Sequence, residues 1–390
     1  MKIKVIQNKN FTTSNAGLAI YAKLWDKFGL SQLFDSAMPK QSGNPYGAIM
    51  QNLFFRNLID ANSMSALSDA DKQEYFLQQN ASLDRTTYGR NLKKLNEVDR
   101  RKILLRFNNN FISRDRIDED TIMIYDSSCI PAEGKKFENT KKVYDACNET
   151  MVQGYALNKL LLKTKKKLAV INFDLQNDSK DKLIKKFKIG RRQFGIDKIV
   201  FDAGPENTGI EFFKKLDVEE FLFYTKAAEH WKFNYGKNYN IKELKKLLKK
   251  RIKKEGMVSL EVFWYDVLLR LIFVRGDKRV YITNDLDIPA GKIVRFYRWR
   301  WDIEVSFREE KQNLGLKILP CWNEQGIRNH VLLALLAFVL SQLIIDKVEV
   351  VNGIKLIKRR IVKIFAYVKD KILCFVENFK FKWVFEINFE

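Results

Sequence analysis

The chain has 390 residues, enough for two or three modules with a real core. Its 70 Lys and Arg against 47 Asp and Glu leave a formal charge of +23, which points to a polyanionic partner, nucleic acid ahead of an anionic membrane surface. The 29 Phe, 14 Tyr and 7 Trp interleaved with those cations exclude a disordered basic tail.

Cys129, Cys147, Cys321 and Cys374 form no CxxC pair, and His230 and His330 are the only histidines. A zinc ribbon, a disulfide framework and a Ser/His/Asp triad are therefore not expected, and any metal has to be held by oxygen. The cysteine usage fits a reducing cytoplasm, where a basic protein with a nucleic-acid partner would be nucleoid-associated. The opening MKIKVIQNKNFTTSN has no apolar run of the kind a secretion signal needs.

Residues 1–115 read as an all-α, DNA-binding module, with apolar periodicity at 18–30 and 49–59 and polar breaks at 39–45. Within it, SMSALSDADKQEYFLQQ and SLDRTTYGRNLKKL fit a helix-turn-helix. Thr86 or Thr87 would cap a short helix carrying Arg90, Asn91, Lys93 and Lys94 outward. The same residues fit an ordinary helical pair with a solvated basic face.

From residue 120 the period becomes strand-like. TIMIYDSS, MVQGYALNKLLL and KKLAVINFDL follow one another without helices, which predicts antiparallel neighbours. DKLIKKFKIGRRQF, KIVFDAG, GIEFFKKL and EEFLFYTKA then alternate helix and strand, which predicts parallel strands with helical crossovers. The sum is an α/β domain, a mixed five-stranded sheet with flanking helices, built from 116–226 and 291–346.

Residues 227–290 interrupt that pattern. A basic helix, IKELKKLLKKRIKKEG, places Ile241, Leu244, Leu248 and Ile252 on one side, and a β meander follows. This predicts an inserted, mostly β subdomain whose basic helix either tracks phosphates or forms a solvated face. The longest apolar stretch, 331–340, is shorter than the roughly 20 residues of a membrane span and is expected to be a buried helix. Residues 347–390 form a basic C-terminal extension.

Asp126 follows the apolar run 122–125 and Asp202 the run 199–201. Strands disfavour Asp, and an acid at the edge of a core asks for a charge partner, although a turn or a helix cap would also use it. A third acid comes from GKIVRFYRWRWDIEVSFREEKQNLGL, bounded by Pro289 and Gly315 as a helix start and stop. At about 100° per residue, Tyr297, Arg300, Glu304, Arg308 and Lys311 share one narrow arc beside an apolar arc of Phe296, Trp299, Ile303, Phe307 and Leu314. Asp126, Asp202 and Glu304 together form a ligand set for a hard cation such as Mg²⁺, which takes oxygen donors and pairs with phosphates. A surface helix with an Arg300–Glu304 salt bridge is the competing use of the third acid.

The spacing Tyr297, Arg300, Glu304, Lys311 satisfies the Y-R-E-K motif at every position, and IYDSS, IVFDAG and YITNDLDIPAGKI surround the acids as they do in the family that bears it. The chain thus resembles, over residues 120–345, the insertion-sequence transposases with three acidic residues (DDE) and a ribonuclease H-like catalytic domain. The resemblance implies Asp126 on the first strand, Asp202 after the fourth, and Glu304 on a helix beyond a β insertion. It also implies Mg²⁺ or Mn²⁺, cleavage at the ends of a mobile element in double-stranded DNA with terminal inverted repeats, and attack of the freed 3′-hydroxyl on target DNA. Tyr297, Arg300 and Lys311 would contact the terminal DNA backbone, Arg308 lies on the same arc, and a DNA-induced homodimer would pair two ends. Some members use flipped bases, for which Trp231, Trp264 or Trp322 could stack, although a core or surface role fits each. Two other activities fit the same residues: a ribonuclease H-like nuclease that cuts without joining, and a non-catalytic DNA-binding protein derived from a transposase.

Overall fold

Helical periodicity gives way to strand periodicity near residue 120, and the computed structural model changes architecture at the same place. It describes residues 2–7, 18–345 with breaks at 41, 60, 73–74, 79, 81–82, 113–116, 147, 177–178 and 203–208, then 349–350 and 383–388. Most of the expected C-terminal extension lies outside the described residues. The chain divides into two units: Met1–Arg114, Cys129–Tyr155 and Ser306–Glu390 form the first, and Asp115–Ser128 with Ala156–Val305 the second.

In chain order, β1 (Lys2–Gln7) precedes seven helices: α1 (Leu18–Lys27), α2 (Leu30–Ala37), α3 (Tyr46–Arg56), α4 (Met64–Asp71), α5 (Tyr75–Gln78), α6 (Arg85–Leu92) and α7 (Glu97–Ile112). Next come β2 (Ile122–Pro131), β3 (Lys141–Asp145), β4 (Thr150–Lys163), β5 (Leu168–Asp174), α8 (Lys180–Phe194), β6 (Lys198–Phe201), α9 (Ile210–Val218) and β7 (Leu222–Lys226). The expected insertion supplies β8 (Lys232–Tyr235), β9 (Lys237–Asn240), α10 (Ile241–Glu255), β10 (Met257–Trp264), β11 (Val267–Val274) and β12 (Val280–Thr283). It is followed by α11 (Ala290–Trp299), α12 (Trp301–Asn313), α13 (Glu324–Ile345), β13 (Glu349–Val350) and β14 (Trp383–Asn388).

The first unit is helical at its centre. Trp25 stacks on Phe34 with centroids 5.5 Å apart and meets Phe54 at 5.0 Å. The long apolar stretch read from the sequence lies in α13, which is buried on every face from Asn329 to Ser341, as a helix without a polar side has to be. Buried polar groups hold it in place. Asn329 donates to the carbonyls of Leu92 and Leu95 and accepts from Arg100 at 2.9 Å. The segment after α12 turns at Gly315, with φ +66°, where a Cβ would stand 3.2 Å from the Asn57 Cα. Arg56 then donates to the Ile318 carbonyl.

Four expectations for this unit differ from the structure. β1 pairs with β13 in parallel and with β14 antiparallel, so the N-terminal stretch is not all helix. The helix bearing Arg90 is capped by Asp84, which accepts from the Thr86 and Thr87 N–H groups at 2.7 and 3.0 Å, rather than by either threonine. The expected first helix is divided into α4 and α5, and residues 79–84 separate α5 from α6, where a helix-turn-helix has a turn of 3–4 residues. Arg90, Lys93 and Lys94 are exposed, whereas Asn91 is buried and bonds back to the Thr87 carbonyl.

The second unit carries the sheet. β2 and β6, and β6 and β7, pair in parallel, while β4 and β5 pair antiparallel, as the alternation of elements predicts. The strands of the insertion do not form a separate subdomain, because β12 pairs antiparallel with β7 and the order continues through β11, β10, β8 and β9. Extending the sheet satisfies the backbone groups that a five-stranded sheet would leave open at β7. The helix read as continuous from Pro289 to Gly315 is divided at Arg300. There the bonds run from Arg300 N–H to the Tyr297 carbonyl and from Ile303 N–H to the Arg300 carbonyl, the i→i+3 spacing of a tightened turn.

His330 in α13 is fully buried, and because the Gly315 carbonyl can only accept, its Nε2 must donate across 3.1 Å. Burial pushes its pKa from 6.5 down to about 3, so the folded protein resists a proton that the unfolded chain accepts. The contribution of His330 to stability is therefore fully present above pH 6.5 and falls between pH 6.5 and about 3. His330→Gln, which keeps a donor, is expected to flatten that part of a urea-unfolding pH profile.

Candidate active site

The parallel pairing of β2 with β6 sets two acids side by side. Met123, Ile124 and Tyr125 stand opposite Ile199, Val200 and Phe201, so the next position on each strand is Asp126 beside Asp202. β6 stops at Phe201, and Asp202 follows it directly. β2 continues to Pro131, so Asp126 is not at a strand end as its apolar run suggested. It lies where burial relaxes, from fully buried 122–125 to half-buried 126–128. Gly190 of α8 lets that helix press against β2, since a Cβ there would be 2.3 Å from the Met123 sulfur. Glu304 lies in the first turn of α12, where the helix dipole favours a carboxylate.

One cation addresses all three acids. The Arg300 Nη1 lies 3.0 Å from Asp126 Oδ2 and 4.0 Å from Asp202 Oδ2, and its Nη2 lies 2.5 Å from Glu304 Oε1. The side chain is only 14 % exposed. Lys226, the last residue of β7, supplies a second cation 2.9 Å from Asp202 Oδ1, and the Tyr297 hydroxyl donates to the same oxygen at 3.3 Å. The Ser127 N–H donates to Asp126 Oδ1 at 2.8 Å.

Burial, reinforced by the charges of Asp202 and Glu304, pushes Asp126 up to about 6, against the pull of Arg300 and the Ser127 N–H. For Arg300, burial works against the charge, but Asp202, Tyr297, Asp126 and Glu304 outweigh it and hold the guanidinium above its ordinary value. Burial and the neighbouring Asp202 keep the Tyr297 hydroxyl protonated, which makes it a donor to that carboxylate. Among the described residues, no three Asp, Glu, His or Cys side chains are grouped so that they could hold one metal ion. The donor set is oxygen only, and all three acids address the Arg300 guanidinium, with Lys226 beside Asp202.

The remaining residues singled out from the sequence are dispersed. Tyr297 is 3 % exposed, so it and Arg300 face the acids rather than solvent. Arg308 and Lys311 lie further along α12, half-buried, in the first unit. Arg90, Lys93 and Lys94 are exposed in that unit. Trp231 and Trp264 stack on each other at 4.4 Å and pack on Phe213, which makes them core aromatics. Trp322 is 55 % exposed, with Lys136 4.7 Å above its ring. The sequence signal of Lys226 is only a charge at the end of the apolar strand run EEFLFYTK, where β7 stops. Trp301, at the start of α12, is 58 % exposed.

The transposase DDE domain family matches residues 118–340. A Sinorhizobium fredii protein, y4zB, whose name describes it as a transposase, is 34 % identical over 68 residues, which span 17 % of this chain and 19 % of that protein. Among solved structures, a piggyBac transposase synaptic complex with hairpin DNA is similar over 95 % of this chain and 84 % of its own, at 12 % identity and a TM-score of 0.45. A Drosophila P element transposase strand transfer complex is similar over 60 % of this chain and 56 % of its own, at 13 % identity and a TM-score of 0.29.

Without Arg300, three carboxylates would face one another with Lys226 as the remaining cation. Arg300→Met is expected to lower stability in metal-free buffer at pH 8 by about 3–5 kcal/mol, the usual cost of removing one partner of a buried ion pair. The sign with pH follows from Asp126, whose folded value of about 6 exceeds its ordinary 3.8. Its contribution is complete below the ordinary value and is lost as pH rises through the folded one. The deficit of the variant should therefore shrink at pH 5, as measured by urea unfolding at the two pH values.

Proposed function

This chain belongs to the transposase DDE domain family, and on that premise we propose that it is a DNA transposase that cleaves the ends of a mobile element and joins the freed 3′-hydroxyl to target DNA. Asp126, Asp202 and Glu304 are the acids of its catalytic site, in a ribonuclease H-like domain of the Y-R-E-K subgroup. The observation that carries this reading is the convergence of the three carboxylates, from β2, the end of β6 and the start of α12, on the single guanidinium of Arg300.

Those oxygens suit a hard divalent cation, and Mg²⁺ or Mn²⁺ held by them would activate the attacking oxygen and stabilise the leaving one at a phosphodiester. Arg300 competes for the same oxygens. Released from the acids, its planar fork suits phosphate, where charge-assisted bidentate bonds are strong. Tyr297 and Lys226 stay on Asp202 and fix the orientation of its carboxylate. Lys311 and Arg308 add positive charge along α12 for the backbone of the terminal DNA. Arg90, Lys93 and Lys94 give the first unit an exposed basic face for the duplex. The protein would act in the cytoplasm, associated with the nucleoid, pairing two inverted-repeat ends as a DNA-induced homodimer.

The test is a cleavage and strand-transfer assay on the inverted repeats that flank the gene, with Mg²⁺ or Mn²⁺. Glu304→Gln is expected to reduce nicking by more than the roughly 100-fold that loss of a metal's outer-shell partner costs, with DNA affinity unchanged. Cleavage retained in that variant rules out the assigned acids. Cleaved ends without joined product, under conditions where a known transposase joins them, would make the protein a nuclease.

A further inference from the structure

The helix α10 carries eight Lys and Arg against two Glu, and its chemistry is not used by the acid cluster. Its apolar side, Ile241, Leu244 and Leu248, is buried, which leaves the cations outside. Lys245, Lys249 and Lys253 recur every four residues, so they run along one face for about 12 Å at 1.5 Å per residue. Opposite them lies the turn between β11 and β12, bearing Arg275 and Arg279, and the two elements enclose a cleft of about 350 Å³. Arg275 donates to the Lys253 carbonyl at 3.3 Å, and Lys245 donates to the Lys278 carbonyl, so helix and turn are tied together as one surface.

The charge in this cleft is mostly unneutralised. Asp277, its one acid, is already engaged by Arg279 at 3.1 Å and by the Tyr281 hydroxyl. Among the described residues, no acid forms an ion pair with Lys245, Lys249, Lys253 or Arg275. A basic helix can also bind an anionic membrane, but it does so by sinking its apolar face into the bilayer, and here that face is committed to the core.

We propose that the cleft between α10 and the β11–β12 turn is a sequence-independent binding site for the phosphate backbone of duplex DNA. The proposal rests on the transposase reading for its choice of polyanion, and it gives the insertion a task of its own: holding DNA at a surface that reads no bases. A duplex presents about one charge per 1.7 Å of axis, so a lysine row about 12 Å long can meet several phosphates at once. Lysine suits this task because it acts as a point charge and needs no fixed geometry.

The test is the salt dependence of binding to a duplex of arbitrary sequence, with no divalent metal present, so that it is independent of whether the protein cleaves. Lys245→Gln, Lys249→Gln and Lys253→Gln are combined in one variant; Gln is nearly as good a helix former as Lys, and circular dichroism and thermal melting check the fold. The slope of log K against log salt is expected to become shallower by roughly 2 to 3, equally on unrelated sequences. A control variant, Lys166→Gln with Lys182→Gln and Lys185→Gln, removes the same charge from exposed positions elsewhere in the unit and should change the slope by less than about 1. An unchanged slope in the cleft variant, an equal change in the control, a loss confined to one DNA sequence, or stronger binding to double-stranded RNA or phosphatidylserine vesicles than to DNA each overturns the proposal.

Discussion

Three carboxylates brought together at the edge of a protein core repel one another unless a cation stands among them. In this protein the cation is Arg300, and much of the second unit is arranged so that it can be there. The guanidinium reaches Asp126, Asp202 and Glu304 from one position because it comes from the turn that divides α11 from α12, four residues ahead of Glu304. Burial works to discharge Asp126, whose carboxyl is raised to about 6 even with the arginine present.

The sheet supplies the other half of the arrangement. Parallel strands meet in even register, so one pairing, Tyr125 opposite Phe201, is enough to set both aspartates on the same edge. The neighbouring parallel strand, β7, brings Lys226 to that edge by the same rule. The support is aromatic and tightly packed: Phe201, Phe212, Phe213 and Phe223 meet under β6 and β7, and Phe213 extends the cluster to Trp231 and Trp264. The two tryptophans that looked like candidates for stacking on a base are thus part of what keeps the strand ends in place.

The long sheet also changes the meaning of the insertion. An antiparallel join between β12 and β7 makes it continuous with the strands that carry the acids, so α10 is mounted on an extension of the same sheet. A row of lysines on such a support differs from a basic tail, because its charges keep a fixed spacing and the apolar side of their helix is spent on the core.

The amino-acid sequence by itself determined the change of architecture near residue 120, the alternation that makes β2, β6 and β7 parallel, the buried character of α13 and the stop at Gly315, and it marked three acids as candidates, because each depends on local period, turn chemistry or spacing along one element. The tertiary structure alone decided what those acids touch. That Arg300 turns inward to all three, that Lys226 joins Asp202, that Asp84 caps the helix of Arg90, and that the insertion extends the sheet all depend on partners far apart in the chain. Periodicity reports which face of an element is apolar. It carries no information about which charge from another element arrives there, because pairing is set by strand register and by the close approach of packed elements, such as α8 on β2 at Gly190.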